Sequence, residues 1–319
     1  MLGSVYVAKS DYENAVKYLL KAVAYSEALG NENKTAAALE QLGRAYLLLG
    51  DVDQAIESLS RSRDLIKKVG NESVEARINV FIADVYFRQG DFAKALELNH
   101  QSLSSYRNVG NRAAEAGVLS SIGNNYGSQG ENKKALELIK EALNIFEEIP
   151  NLKGVAGTSL GLGGVYFVEK KNALALDYLA RSLTIFEKIG DENGMMLSHG
   201  GIASVYAFQK RHDKGISFGN KALSLAQKAG DLDAVKNGTE MLSVSYKARG
   251  DYRKALEMTE LYYEARDSLQ SAENQKAIIQ LQVSSEYEKQ KAIDDIENEK
   301  LVAIETQKKV NQQKLSIAI

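Results

Sequence analysis

The sequence predicts an all-α solenoid of helical hairpins, and three observations predict it. Tyr6, Tyr46, Tyr86, Tyr126, Tyr166, Tyr206 and Tyr246 recur every 40 residues without slippage. Glycine-led turns return on the same period, at Gly50, Gly90, Gly130 and Gly250 and again at Gly30, Gly70, Gly110, Gly190 and Gly230. The 319 residues hold a single proline, so nothing in the composition interrupts helix after helix. A fixed period of this length marks units that bury a core only by stacking on one another. A chain of this size also exceeds what one globular core accommodates.

Each unit reads as helix A, turn, helix B, turn. Helix A carries the ladder tyrosine, and three residues before it stands a small residue: Gly3, Gly43, Ala83, Gly123, Gly163, Ala203 or Ser243. The turn that follows reads Gly50-Asp51, Gly90-Asp91, Gly130-Glu131 or Gly250-Asp251. Glycine just past a helix end takes the left-handed conformation that closes it. The acidic or amide residue beside it is expected to accept the free N–H groups of the next helix. Helix B places another small residue nine positions after the tyrosine, at Ala15, Ala55, Ala95, Ala135, Ala175, Gly215 and Ala255. Small residues facing each other let two backbones approach, with the tyrosine ring filling the space beside them. The second turn closes each unit, and Pro150-Asn151 fills that slot once.

These signals resemble the tetratricopeptide repeat, whose Leu-Gly-x-x-Tyr and later alanine match Leu42-Gly43-Arg44-Ala45-Tyr46 and Ala55. The family's usual tryptophan is missing, with Leu39 or Leu119 in its place, and the period is 40 residues. The long form resembles the arrays of kinesin light chains, G-protein-signalling modulators and many bacterial signalling proteins. The resemblance implies a right-handed α-solenoid of seven hairpins over residues 1–270, with the tyrosines buried. Residue 1 falls inside a helix A, so the first hairpin is expected to lack its opening half, as a piece of a longer protein would.

Beyond residue 270 the pattern changes. Position 286, due to be the eighth tyrosine, is Glu286, and residues 271–319 contain neither glycine nor proline. The segment is expected to form a capping helix and long linker, with Ile278, Ile279, Leu281 and Val283 covering the last hairpin. Ile293, Ile296, Leu301, Ile304, Val310 and Leu315 continue as a sparse stripe, interrupted by Lys300 and Lys308. That stripe makes residues 271–319 a candidate coiled coil and homodimer contact. The run from Ala277 to Lys291 is similar to the segment joining such repeats to a membrane helix in bacterial sensor histidine kinases. It implies a membrane tether beyond Ile319 and an output domain after it, hence a place at the bacterial cell envelope. The alternative is a stand-alone cytoplasmic adaptor dimerising through this tail.

Composition narrows the function. Forty basic and 42 acidic residues give a net charge of −2, with no basic surplus to hold nucleic acid. Zero cysteines exclude disulfides, thiolate metal sites and cysteine nucleophiles. His100, His199 and His212 fall on different hairpins, without the i, i+4 spacing of a zinc helix. Gly161-Leu162-Gly163-Gly164 sits at the helix A packing position without a following Lys-Ser/Thr, so it is no phosphate loop. Neither catalytic residues nor a cofactor or metal site is expected, and the partner expected is a protein or peptide.

In a tetratricopeptide array helix A lines the concave face. Carrying those positions over gives the groove residues Arg44, Arg77, Asp84, Phe87, Arg88, Asn124, Phe167 and Phe208. The three phenylalanines either face the groove or pack between hairpins. The middle of the same face is glycine-rich, at Gly117, Gly127, Gly157, Gly164 and Gly200, which suits backbones that approach closely. The pattern points to an extended peptide with an acidic end and an apolar body.

Overall fold

The turns set the hairpins. The protein is described by a computed structural model over residues 12–317, with side-chain surroundings from residue 14 to 282 and at residues 285 and 300. Among the described residues it has thirteen α-helices and no strand: α1 Tyr12–Ala28, α2 Glu32–Leu49, α3 Val52–Val69, α4 Glu72–Arg88, α5 Phe92–Asn108, α6 Arg112–Ser128, α7 Asn132–Glu148, α8 Leu152–Val168, α9 Asn172–Ile189, α10 Glu192–Phe208, α11 His212–Ala229, α12 Leu232–Arg249 and α13 Tyr252–Ile317. Gly50 ends α2 at φ +87° and receives the role that only a residue without Cβ fills easily. Lys170 and Lys210 occupy the equivalent turns at φ +59° and +58°. Asn31, Asp51, Asn71, Asp91, Asn111, Asn151, Asp191, Asp231 and Asp251 each accept the backbone N–H three residues on. Glu131, at the same turn position, makes no such bond, and neither do Lys171 and Arg211.

Within each hairpin the small residues do what their spacing predicts. A Cβ on Gly43 would stand 2.7 Å from Leu59 Cγ, one on Gly123 2.6 Å from Ile139 Cγ1, and one on Gly163 2.6 Å from Leu179 Cγ. Ala55, Ala135 and Ala175 lie against them, and these three, Ala15 and Ala95 are fully buried. The tyrosines depart from expectation. Tyr46, Tyr166 and Tyr246 are buried, but Tyr86, Tyr126 and Tyr206 are only half-buried. These three stand at the rim of the core, where Lys94, Lys134 and Lys214 place ammonium groups 4.8, 5.0 and 5.4 Å from the ring centroids. Cations also lie near the rings of the buried Tyr166 and Tyr246, so these contacts accompany both positions. Tyr6 lies outside the described residues.

The hairpins are also tied by a polar ladder. Ser62, Ser102 and Ser182, all fully buried, donate from helix B to the helix A carbonyls of Ala36, Ala76 and Ala156 at 2.7, 3.0 and 2.9 Å. Successive hairpins are bridged on the outer side by Arg61–Glu27 at 2.8 Å and Arg107–Glu141 at 3.0 Å, the second with its charges reversed, and by Arg181–Glu147. Exposed pairs of this kind stabilise by about 1 kcal/mol or less each. They set the register of neighbours more than the stability of the stack.

The tail corrects one expectation. Helix α13 passes residue 270 without a break and runs to Ile317. Ile279 does not cap the last hairpin: it packs into the cluster of Ala15, Val16, Leu19, Leu39 and Leu42 at the opposite end of the array. A superhelix that completes a turn brings its last helix back to its first, and residue 279 is where they meet. Val283 and the stripe from Ile293 to Leu315 lie outside the described side chains.

Candidate binding groove

Helices α6, α8, α10 and α12 pack on one another directly. That contact puts the A helices on the inner, tightly curved side of the solenoid and leaves the B helices outside. The candidate inner face is one register of helix A, at Arg44, Asp84, Asn124, Gly164, Ser204 and Val244. Arg44, Asp84, Asn124 and Gly164 are exposed there.

The eight groove residues fall into two groups. Arg44, Arg77, Asp84, Phe87, Arg88 and Asn124 cluster at the N-terminal half. Arg44 places its guanidinium 5.3 Å from the Phe81 ring centroid. Arg77 pairs with Glu40, which is buried at 4% exposure, and Arg88 pairs with Asp84 at 2.9 Å. Two of the three arginines thus already hold acidic partners. Phe87 turns toward α5 and meets Phe92 at 5.7 Å between centroids. It still lines a depression of about 300 Å³ between α4 and α6, with Phe81, Asp84, Asn99, Ser121 and Asn124. Asn99 is buried at 5% exposure and its amide oxygen has no partner.

Phe167 and Phe208 form the second group. Their rings meet edge to face at 5.7 Å, with Phe167 half-buried and Phe208 54% exposed. So the two rings pack on each other between hairpins, and Phe208 stays largely exposed. Val168 and Leu197 are exposed on the same A helices and Val244 on α12, and Leu197 borders a second depression of about 300 Å³ with Gly200, Ser204, Gly219, Asn237 and Met241. Leu197, Val168 and Val244 escaped the sequence reading because it followed aromatic rings. Their signal was an apolar residue at a register that stacking leaves uncovered.

The glycines divide cleanly. Around Gly117, Gly157, Gly164 and Gly200 a Cβ would meet nothing within 4 Å, whereas on Gly127 it would touch Ala135 and Val165 at 3.7 Å. No neighbouring helix demands the four open ones. The three histidines lie apart. His199 on α10 is buried with Nδ1 unpartnered, while His100 is exposed. Burial first, then the Lys221 charge, push His199 below the usual histidine range, with Glu187 opposing. Among the described residues no group of three or more histidines and carboxylates is placed to hold a metal ion, and no helix is long and apolar enough to cross a membrane.

The tetratricopeptide repeat family profile matches residues 1–68, 74–148 and 194–268, well over half of the chain. No curated protein sequence matches. Among solved structures, the apo form of RapI aligns at a TM-score of 0.68 and 18% identity, over 84% of this chain and 96% of RapI. A signal-transduction ATPase with a tetratricopeptide repeat sensor, from Pyrococcus horikoshii, aligns at 0.65 and 18%, over 87% of this chain and 43% of that protein. A Rap conjugation gene regulator in complex with its Phr peptide aligns at 0.63 and 17%, over 85% of this chain and 73% of the regulator. At these identities the likeness is one of fold.

Proposed function

Because the chain belongs to the tetratricopeptide repeat family, we propose that it is a peptide-binding module of a signalling protein, taking an extended segment along its inner face without a chemical step of its own. One observation carries the reading. Gly117, Gly157, Gly164 and Gly200 present bare helix backbone to open space. Each interior glycine costs a helix about 0.5–1 kcal/mol relative to alanine, and no packing contact requires these four. A bound chain lying close to that backbone gives their small size a use. The apolar body of the ligand lies over Phe167, Val168, Leu197, Phe208 and Val244. Its acidic end lies near Arg44, which has no acidic partner among the described residues.

The structural neighbours support this reading in kind, since one is a Rap regulator bound to a peptide and another a sensor array. We place the module ahead of a membrane helix and an output domain. The competing adaptor reading is favoured by α13, a 66-residue helix whose Tyr252, Leu256 and Tyr263 are exposed, and a sedimentation measurement showing a dimer would support it. The groove itself is tested by selecting a displayed peptide library on the full chain. Selected peptides should lose binding to Gly164→Leu and Gly200→Leu, which the open space accommodates without unfolding. Undiminished binding to both variants sinks the groove assignment.

A further inference from the structure

Two contacts join the ends of the array. Ile279 of α13 sits among the apolar residues of α1 and α2. One residue on, the side chain of Gln280 lies beside the carboxylate of Asp51, the cap residue of α3. Asp51 is 7% exposed, and no other residue at this turn position is buried: Asp91 and Asp251 are half-buried and Glu131 is exposed. The equivalent turns differ in what lies over them, and over Asp51 lies α13. Ile278 and Leu281, on either side of the contact, are 57% and 71% exposed. The seat is therefore narrow, made by a single face of the helix at residues 279–280.

We propose that α13 is an intramolecular clasp, in which Ile279 and Gln280 fasten the last helix to the first two hairpins and so fix the width of the groove. A stack of hairpins is quasi-one-dimensional, with each unit held only by its neighbours. Its curvature is then the sum of many small, soft rotations. A contact between the two ends removes that freedom at one stroke, and it is small enough to open. The seat is made of one isoleucine and one amide, against the continuous interfaces inside the array. The clasp is also continuous with the helix that leads away toward Ile317. Opening or closing the array therefore moves that helix relative to the first hairpins.

The chain has no cysteine, so Tyr25→Cys on α1 and Gln275→Cys on α13, both exposed, give a clean pair of spin-label sites. In the full chain these should report one narrow distance distribution. Ile279→Asp should lengthen and broaden it, and should speed amide exchange in residues 12–49 roughly tenfold. Ile278→Asp, one residue away but off the seat, should change neither. If Ile279→Asp loses helix content, Gln280→Ala provides the milder release, with a smaller shift in the same direction. Distributions and exchange rates that are the same in the parent, Ile278→Asp and the release variants overturn the clasp.

Discussion

Arg77 of α4 covers Glu40 of α2, pairing with a carboxylate that is 4% exposed and would otherwise face the interior of the groove wall alone. Arg77 therefore serves the fold as well as the inner face. Truncating it strands a buried charge, and because the guanidinium itself is half exposed the cost is discounted for solvent screening. We expect Arg77→Ala to lose about 1–2 kcal/mol in denaturant unfolding. The double variant with Glu40→Gln should recover part of that loss. Additive losses in the double variant would show that the pair contributes nothing.

Adjacent glycines should respond in opposite directions. A Cβ on Gly163 would collide with Leu179 Cγ at 2.6 Å and lie 3.3 Å from the Ala175 carbonyl, whereas one on Gly164 meets nothing. Gly163→Ala should cost about 1–3 kcal/mol through overpacking. Gly164→Ala should gain about 0.5–1 kcal/mol from the stiffer backbone. Thermal unfolding of the two variants side by side decides it, and the same sign for both contradicts the geometry.

Two turns are held by lysine in a conformation that suits glycine. Lys170 and Lys210 stand at φ +59° and +58°, which costs an L-residue about 1–2 kcal/mol. Glycine avoids that strain but gives up some of the benefit in chain entropy. Lys170→Gly should therefore raise stability by a few tenths to about 1 kcal/mol. A fall in melting temperature would show that the lysine side chain is contributing a contact that outweighs the strain.

We expect α8 to be the weak joint of the array. It carries Gly154, Gly157, Gly161, Gly163 and Gly164, and together they raise the cost of fixing this backbone by about 2–5 kcal/mol. Phe146 and Leu179 fill the space at Gly154 and Gly163, but Gly157 and Gly164 are open. Amides of residues 152–168 should exchange faster than those of 112–128 and 192–208, and a bound peptide should protect them. Slower exchange in α8 than in both flanking helices would make all five glycines packing residues.

His199 should give the array a share of acid sensitivity. Burial, with Lys221 adding to it and Glu187 opposing, holds the buried imidazole below its usual range. The unfolded chain then takes up the proton more readily than the folded one at pH values below about 6.5. Stability linked to His199 is complete above that point and is lost as pH falls through the window beneath it. His199→Gln should flatten the stability profile below about pH 6.5. An unchanged slope would mean the histidine titrates alike in both states.

Much of this fold was legible because its rules are local. Gly50-Asp51 and Gly110-Asn111 end one helix and start the next through their own backbone chemistry, and Gly43 and Gly123 announce a close contact by their size. The turns at Glu131, Lys171 and Arg211 were less legible, since a repeat fixed by its neighbours tolerates a missing cap. The groove was half legible. Register alone singled out Asp84, Asn124 and Phe208, which are exposed, but not that Arg77 was already engaged by Glu40, 37 positions earlier in the chain.

The sequence by itself determined the unit, its period and the order of helices, because each follows from spacings shorter than one repeat. Tertiary structure decided which glycines are packed and which are open. Gly163 and Gly164 are neighbours in sequence, yet only one has Leu179 against it. It also decided where Ile279 goes. Small rotations between hairpins add up along the array, and no local pattern records their sum. Only that accumulated curvature brings residue 279 to the first hairpins instead of the last.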